Sequence, residues 1–341
     1  MKNKSKKQLS GHDSPKVSFL IPTYNEEKRL PQVLKTIRNQ DYPRKKIEII
    51  IADAMSTDKT RAIAKKYGCV IIDNPDKHPE LGNEKARKIS KGEIVFFSAA
   101  DNAFPDKKWI RKMITPFLEK KDIVGAYCSY GTDSRDFSLN KYISMNSDSF
   151  TRFLYGKASN IWELSKYYKI AEKGSNWQIY KLTVQDYPLI CLAQGFALKR
   201  DYQRTKRSKY DDVLAVLDML QKGDKIAHVT NTLMIHYSFE DFDNFVKKMD
   251  RKVSNSFANT QKWGIVSRDK IYGSRKRSLR KLIWTVYALS FIAPLVYSIK
   301  RFIQFRKLYW FYELPVAFAV LALIIKNSLK RYILRSQRGY F

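Results

Sequence analysis

The stretch Val17-Ser18-Phe19-Leu20-Ile21-Pro22-Thr23-Tyr24-Asn25-Glu26-Glu27 decides the reading of the fold. A mainly apolar run, Val17 to Ile21, passes straight into a proline and a polar turn. A buried strand therefore ends there and delivers polar groups to its carboxyl end. Downstream, Leu30, Val33, Leu34 and Ile37 recur at helical spacing, which gives one buried face on a helix that ends before Asp41-Tyr42-Pro43. A second strand, Ile47 to Ala52, completes a βαβ unit. Strand-like runs follow at Cys69 to Ile72, Ile94 to Phe97 and Ile123 to Cys128. Alternation of this kind predicts an α/β fold, a mostly parallel sheet flanked by helices. Such open sheets bind ligands outside the carboxyl ends of their strands.

From Phe137 to Lys181 the pattern blurs into polar and aromatic residues, among them Tyr155, Trp162, Tyr167, Tyr168 and Trp177, and reads as helices and loops. Order returns with a strand over Leu189 to Leu198 and a helix over Asp212 to Lys222, whose buried stripe is Val213, Leu217 and Leu220. Phe242, Phe245, Val246, Met249 and Val253 form a further apolar stripe opposite Lys247, Lys248, Arg251 and Lys252. That helix either packs on the domain with a solvated basic face or lies in a membrane interface.

Two apolar segments, Leu282 to Ile299 and Leu308 to Ile325, close the chain. Each would reach about 27 Å as a helix, barely the hydrocarbon thickness of a bilayer. Pro294, Pro315 and Glu313 make them imperfect spans. Basic clusters flank both: Arg275 to Lys281, then Lys300, Arg301, Arg306 and Lys307, then Lys326 to Arg338. The preference of such clusters for the cytosolic side would keep all three there. Two full spans would put the middle cluster outside, whereas a kinked hairpin dipping into one leaflet would not; a buried helical hairpin is the third reading. The expected organisation is a polar basic tail (1–15), a catalytic domain (16–238), an amphipathic basic helical segment (239–278) and a membrane-associated hairpin with a basic tail (279–341).

Among 341 residues, 64 Lys and Arg face 33 Asp and Glu, for a formal charge of +31. An anionic partner is implied: nucleic acid, an acidic lipid surface or a phosphorylated substrate. Much of the excess flanks the apolar C-terminal segments, and no RNP-like, zinc-finger or helix-turn-helix signature is present, so anionic membrane lipids fit better than nucleic acid. Cys69, Cys128 and Cys191 are odd in number, far apart and set in apolar contexts, as reduced core thiols are. Met1 to Lys16 is polar and basic with no secretory signal, so the large domain is expected to face the cytosol at the cell membrane.

The second strand ends at Asp53-Ala54-Met55-Ser56-Thr57-Asp58-Lys59-Thr60. Asp53 can accept a hydrogen bond from a nucleobase N–H, while Ser56 or Thr57 followed by Asp58 has the look of a helix cap. The Ile94 strand ends at Ser98-Ala99-Ala100-Asp101-Asn102 and brings a second carboxylate to the same edge. A diphosphate leaving group needs a divalent cation. Mn²⁺ or Mg²⁺ prefers oxygen ligands, and one carboxylate with phosphate oxygens and waters suffices. Asp101 is the candidate ligand.

Pro22-Thr23-Tyr24-Asn25-Glu26 with Asn39-Gln40-Asp41-Tyr42-Pro43, then Asp53 to Thr60, then Asp101-Asn102 before Pro105, resembles family 2 glycosyltransferases in order and spacing over roughly Val17 to His236. The stretches Asn74 to Glu93 and Asp101 to Trp109 are most similar to membrane-bound archaeal and bacterial members. The resemblance implies a GT-A nucleotide-sugar-binding fold with C-terminal membrane-associated helices. It implies an inverting, metal-dependent transfer from a nucleotide-diphosphate sugar to a polyprenyl-linked or glycan acceptor.

By the same resemblance, Pro22, Tyr24, Glu26, Asp53, Lys85, Arg87, Ala100 and Asp101 surround the donor. Asp53 meets base or ribose, and Asp101 is the last carboxylate of a DxD motif in which Ala99 replaces the first. Tyr210-Asp211-Asp212-Val213 matches the "ED" element with Asp212 as base, or else it only caps a helix. His236 is a second metal ligand or a structural histidine, and Lys85 and Arg87 approach the diphosphate or belong to a solvated face. Ala99 also raises the alternative of a catalytically impaired scaffold, against which the joint presence of Asp53, Asp101 and Asp212 weighs. A QxxRW element is missing, which favours single-sugar transfer over processive synthesis.

Overall fold

A computed structural model describes residues 14–159, 163–206, 208–258 and 275–336. Most of the basic tail (1–15), Trp162, residues 259–274 of the amphipathic segment and the end of the C-terminal basic tail lie outside the described residues. The strands are β1 (Val17–Thr23), β2 (Ile47–Asp53), β3 (Val70–Asp73), β4 (Ile94–Ser98), β5 (Asn102–Ala103), β6 (Ile123–Gly131), β7 (Ile170–Lys173), β8 (Trp177–Tyr180), β9 (Gln194–Lys199) and β10 (Lys225–His236). The helices are α1 (Leu30–Arg38), α2 (Thr60–Lys66), α3 (Pro79–Ile89), α4 (Trp109–Glu119), α5 (Ser138–Asn146), α6 (Ser149–Tyr155), α7 (Leu164–Tyr167), α8 (Asp212–Gln221), α9 (Phe242–Ala258), α10 (Arg275–Leu289), α11 (Ile292–Phe305) and α12 (Glu313–Ser336).

These elements sort into two compact units. The first holds the chain up to Ser129 with Ile170–Tyr180 and Cys191–Met234; the second holds Tyr130–Lys169, Lys181–Ile190 and the chain from Ile235 onward. Residues 16–238, expected as one catalytic domain, contribute to both units. Leu139 and Tyr142 of α5 are fully buried in one cluster with Trp284, Trp310 and Val320, which groups α5 with the C-terminal helices.

The sheet of the first unit runs β3-β2-β1-β4-β9-β6-β10-β8-β7, with β5 paired to β10. Pairing is parallel across β3, β2, β1 and β4. β9 then inserts antiparallel between β4 and β6, and β7 and β8 form an antiparallel hairpin. The expected α/β class holds, but the sheet is mixed. β6 points the way the alternating rhythm predicts, yet it pairs with β9 instead of joining the parallel block. β1, β2 and β4 are almost wholly buried on both faces, as a helix-covered parallel block requires. In register, Thr23 lies beside Asp53 and Asp53 beside Asp73, so the carboxyl edge gathers its polar residues in one row.

The second unit is largely helical. The α9 stripe points inward: Phe245 and Met249 are buried, and Phe242, Val246 and Val253 pack around them. Of the two readings of this helix, packing is the one its contacts show. Glu313, the charge that spoils the last apolar segment, is buried and meets Arg152 two-fold at 2.7 and 3.1 Å. It also accepts from Tyr142 (2.7 Å), Tyr287 (2.6 Å) and Asn146 (3.2 Å). A buried carboxylate is tolerable only when paired and hydrogen-bonded in this way.

Candidate active site

Two loops leave the parallel block side by side, residues 23–30 after β1 and 53–60 after β2. Backbone amides of the first are bound by side chains of the second. Asn25 N–H donates to Ser56 Oγ (2.9 Å), Glu26 N–H to Thr60 Oγ1 (2.7 Å) and Glu27 N–H to Asp58 Oδ2 (3.1 Å). In return Asn25 Oδ1 accepts from Thr57 N–H (2.9 Å) and Glu27 Oε2 from Lys59 N–H (3.1 Å). Asp58 Oδ1 accepts from Thr60 N–H (2.9 Å), the turn role expected of it. Asn25 and Met55 sit at φ 53° and 62°, in the left-handed region that only short polar residues enter cheaply. Met55 there is a local strain that the surrounding hydrogen bonds hold in place.

Asp53 is the hub of this lacing. Its carboxylate accepts from Thr23 Oγ1 (3.0 Å), Ser56 Oγ (2.6 Å), Ser56 N–H (2.9 Å) and Arg61 (3.1 Å). Arg61 reaches on to Asp73 at 2.8 Å. Burial pushes the Asp53 carboxyl up, but donors from Ser56, Arg61 and Thr23 outweigh it and hold the group below its ordinary range. The side chain has no exposed surface, so in this arrangement it shapes the loops and does not face solvent. Beside it, Tyr24 stands 51% exposed with the Lys77 ammonium 5.4 Å from its ring centroid. Pro22 and Glu26 are half-buried.

Ala100 is buried, and Asp101 lies beyond β4 with Oδ2 3.6 Å from the Arg29 guanidinium. Among the described residues no group of three or more His, Cys, Asp or Glu side chains could hold a metal ion. The residues fit a cation that takes one carboxylate and completes its shell with ligand phosphates and water, as Mg²⁺ and Mn²⁺ do. Of the two basic residues after Gly82, Lys85 pairs with Asp76 at 2.7 Å. Arg87 pairs with Glu84 at 2.8 Å and donates to the Arg200 carbonyl, so it is committed to α3 and the end of β9. Gly82 itself admits no side chain: a Cβ there would come within 2.8 Å of Asn74 Nδ2 and 3.0 Å of Ala52 Cβ, so α3 lies close against β2.

The start of α8 separates the two adjacent aspartates. Asp211 is the cap; its Oδ1 accepts from Val213 N–H and Leu214 N–H, both at 2.9 Å. Asp212, the first helical residue, is left for other work. Burial raises its carboxyl, the Asp211 charge adds to the rise, and the Cys191 thiol, which donates to it, opposes. Enough of its surface stays open for a ligand to reach it, although protein atoms crowd its other sides.

Behind Asp212, burial and the Asp212 charge together raise the carboxyl of Glu80, in the first turn of α3. Asn83 donates to Glu80 at 3.0 Å. Arg204, its side chain wholly buried, lies 3.5 Å from Glu80 and 3.8 Å from Glu84. Its guanidinium covers the Phe97 ring at 5.5 Å.

Sequence reasoning missed Glu80, Arg204 and Arg61, whose types are ordinary for protein surfaces; only the fold sets Arg204 beside Glu80 and Arg61 beside Asp53. It also took Cys191 for a core thiol. All three cysteines are free, but Cys191 is half-buried and adjoins Asp212, joined again by Leu192 N–H donating to the Asp212 carbonyl at 3.3 Å. His236 ends β10 within the second unit, where its Nδ1 is 3.0 Å from Ser238 Oγ.

An α/β sheet whose carboxyl edge carries a laced pair of loops and several carboxylates defines a ligand-binding α/β protein. Residues 18–179, just under half of the chain, match the family model described as glycosyl transferase family 2. It is 31% identical over 93 residues to the poly(ribitol-phosphate) beta-N-acetylglucosaminyltransferase TarS of Staphylococcus aureus, covering 26% of this chain and 16% of that protein. To the dolichyl N-acetyl-alpha-D-glucosaminyl phosphate 3-beta-D-2,3-diacetamido-2,3-dideoxy-beta-D-glucuronosyltransferase of Methanococcus voltae it is 30% identical over 113 residues, covering 31% and 35%. The chain thus spans about a sixth and about a third of the lengths of these relatives. The solved mannosyltransferase PcManGT of Pyrobaculum calidifontis, in complex with GDP-Man and Mn²⁺, superposes with a TM-score of 0.48 at 15% identity over 91% of this chain and 87% of that one.

Proposed function

We propose that the chain is an inverting glycosyltransferase that takes a sugar from a nucleotide-diphosphate sugar and passes it to a polyprenyl-linked or glycan acceptor at a membrane. The observation that carries this reading is the division of labour at α8: Asp211 caps the helix through Val213 and Leu214, and the half-buried Asp212 beside Cys191 has a carboxylate whose proton affinity is raised. A general base needs reach and a proton affinity above that of a solvated carboxylate.

In this reading Asp212 removes the acceptor hydroxyl proton while the hydroxyl oxygen forms a bond to the anomeric carbon. The bond from that carbon to the diphosphate oxygen breaks on the opposite face, its electron pair leaves with the diphosphate, and configuration inverts. Asp101 would hold the divalent cation, Mn²⁺ or Mg²⁺, which when bound neutralises charge growing on the leaving diphosphate. Pro22, Tyr24, Glu26 and Ala100 line the donor side, Asp53 fixes the rim that meets the nucleoside, and Lys85, paired with Asp76, is the cation assigned to the diphosphate. His236 as a second metal ligand remains a proposal of the same kind, whereas Arg87 is better assigned to holding α3. The catalytic unit works on the cytoplasmic face, and the basic flanks of the C-terminal helices favour anionic lipid by roughly 1 kcal/mol per nearby Lys or Arg before screening.

Screening nucleotide sugars for metal-dependent binding and turnover tests the reading. Turnover is expected with Mn²⁺ or Mg²⁺ and lost in excess EDTA and in Asp101→Ala. Binding without any transfer or hydrolysis would favour the scaffold alternative that Ala99 suggests.

A further inference from the structure

The second unit carries an apolar surface that its own core leaves open. α10 and α11 are joined by a break at Ser290-Phe291, where Phe291 adopts φ 53°, and the helices Leu279–Leu289 and Ile292–Phe305 meet at an 85° bend. One face of each helix is anchored inside: Trp284 is buried and donates to Ser149 Oγ at 3.1 Å, and Ser298 and Pro294 are buried. Among the described residues the other face is largely uncovered. Val286 is 61% exposed and Ile292 71%, and Leu289, Val296 and Ile299 are exposed with them; Phe291, also exposed, leans one side of its ring on Phe318 of α12 at 4.3 Å. Singly such residues are ordinary, but gathered around one elbow they mark a docking surface.

Charge selects the occupant. From Arg275 to Tyr312 the chain has no acidic residue, while Lys281, Lys300, Arg306 and Lys307 are exposed. Exposed cations near the open ends of both arms, interleaved there with exposed Leu282, Ile303 and Leu308, and apolar side chains without cations at the closed end match the layering of an anionic leaflet, with headgroups above hydrocarbon. Length fixes the depth. The arms are about 16 and 21 Å long, so neither crosses about 30 Å of hydrocarbon. Folded at 85°, they carry the elbow in by about 11 to 14 Å, one leaflet, and return both basic clusters to the side of entry.

The remaining apolar helix, Leu308–Lys330, has a mean hydropathy of 1.9, enough to cross a membrane by composition. Its contacts argue for protein surroundings. Glu313 is locked to Arg152 near one end, and Lys326 and Asn327 bind Asp250 of α9 at 2.7 and 2.8 Å near the other. α12 packs along α9, whose Lys247 and Arg251 are exposed and could not stand in hydrocarbon.

We propose that the α10–α11 elbow is a re-entrant anchor that enters and leaves one leaflet of an anionic bilayer, while α12 stays packed in protein and does not cross. This rests on the membrane-site reading above and sharpens it into a one-sided attachment.

The test adds purified full-length chain to preformed vesicles of phosphatidylcholine and phosphatidylglycerol and labels Lys281→Cys, Phe291→Cys and Lys307→Cys with a membrane-impermeant maleimide, the unsubstituted chain giving the background. Lys281→Cys and Lys307→Cys should label equally without detergent, and Phe291→Cys only after detergent is added. A paired Ile292→Asp, Val296→Asp change, at two exposed positions one turn apart, should lower flotation with these vesicles at least tenfold while the thermal unfolding midpoint stays in place. Protection of Lys307→Cys beside a labelled Lys281→Cys would overturn the anchor in favour of a span, with membrane attachment intact. Failure to float, with sedimentation as a dimer, would overturn attachment itself and assign the surface to a second copy. Nucleotide-sugar binding measured on the same samples reports on the catalytic reading independently.

Discussion

Two carboxylate sites at the carboxyl side of the same sheet have their proton affinities moved in opposite directions. Asp53 has four donors aimed at it, one of them a guanidinium, and lies below the ordinary carboxylate range. Asp212 and Glu80 are crowded by protein and by other carboxylates and lie above it. Burial pushes all three upward, so the number and charge of the donors decide the outcome. A saturated carboxylate shapes a loop, and an unsaturated one near open surface can accept a proton.

The contrast breaks most sharply at Asp212. Asp212→Asn should lower turnover by roughly 10² to 10⁴ fold with donor affinity nearly unchanged. Asp211→Asn, which preserves the cap, should cost little, since Asn caps about as well as Asp. Equal losses in both variants, read as rate and donor affinity side by side, would refute the separation of roles.

Asp53→Asn should act on stability first. It leaves a buried Arg61 contact and the Ser56 donors imperfectly met, a loss of about 1 to 3 kcal/mol in urea unfolding. Donor affinity should fall with it, because the 23–30 and 53–60 loops lose their hub.

The pH dependence sharpens the same comparison. Asp212 must be ionised to act, so kcat/KM should fall as pH drops through a value above the ordinary carboxylate range. Asp211→Asn removes the charge that adds to the Asp212 rise and should move that acid limb to lower pH. Stability moves in opposite senses. The raised Asp212 and Glu80 bind protons more readily folded than unfolded, so their contribution declines as pH rises from the ordinary range through their raised values; Asp53 contributes above its ordinary range and is lost as pH falls below it. Unfolding midpoints for Glu80→Gln and Asp53→Asn across pH should therefore show slope changes of opposite sign. An unshifted acid limb in Asp211→Asn would show that Asp212 does not sense the neighbouring charge.

The smallest effect belongs to the outer part of the Asp53 network. Arg61 is 41% exposed and Asp73 60%, so Asp73→Asn should change stability by less than about 1 kcal/mol. A larger change in the unfolding midpoint would mean that Arg61 depends on Asp73 to stay on Asp53.

Much of the first unit was legible in the sequence. β1, β2 and β4 lie within a residue or two of their apolar runs, because strands buried on both faces read as continuous hydrophobic stretches. The pair Asp211-Asp212 at the start of a helix was legible too, but not which of them caps. The β7–β8 hairpin, the short β9 inside the longer Leu189 to Leu198 run and the grouping of α5 with the C-terminal helices were not. Each depends on pairing or packing with residues far along the chain, which local periodicity does not report.

By itself, then, the sequence determined the parallel block, the order of the motifs at its edge and the basic, apolar character of the C-terminal helices, since these follow from the local alternation of apolar and polar residues. Tertiary structure alone decided that Asp53 is saturated while Asp212 is not, that Arg204 stands between Glu80 and Glu84, that Arg152 meets Glu313, and that the first apolar segment folds back on itself at Phe291. These outcomes turn on which donors and charges meet a buried group in space, and spacing along the chain does not encode that.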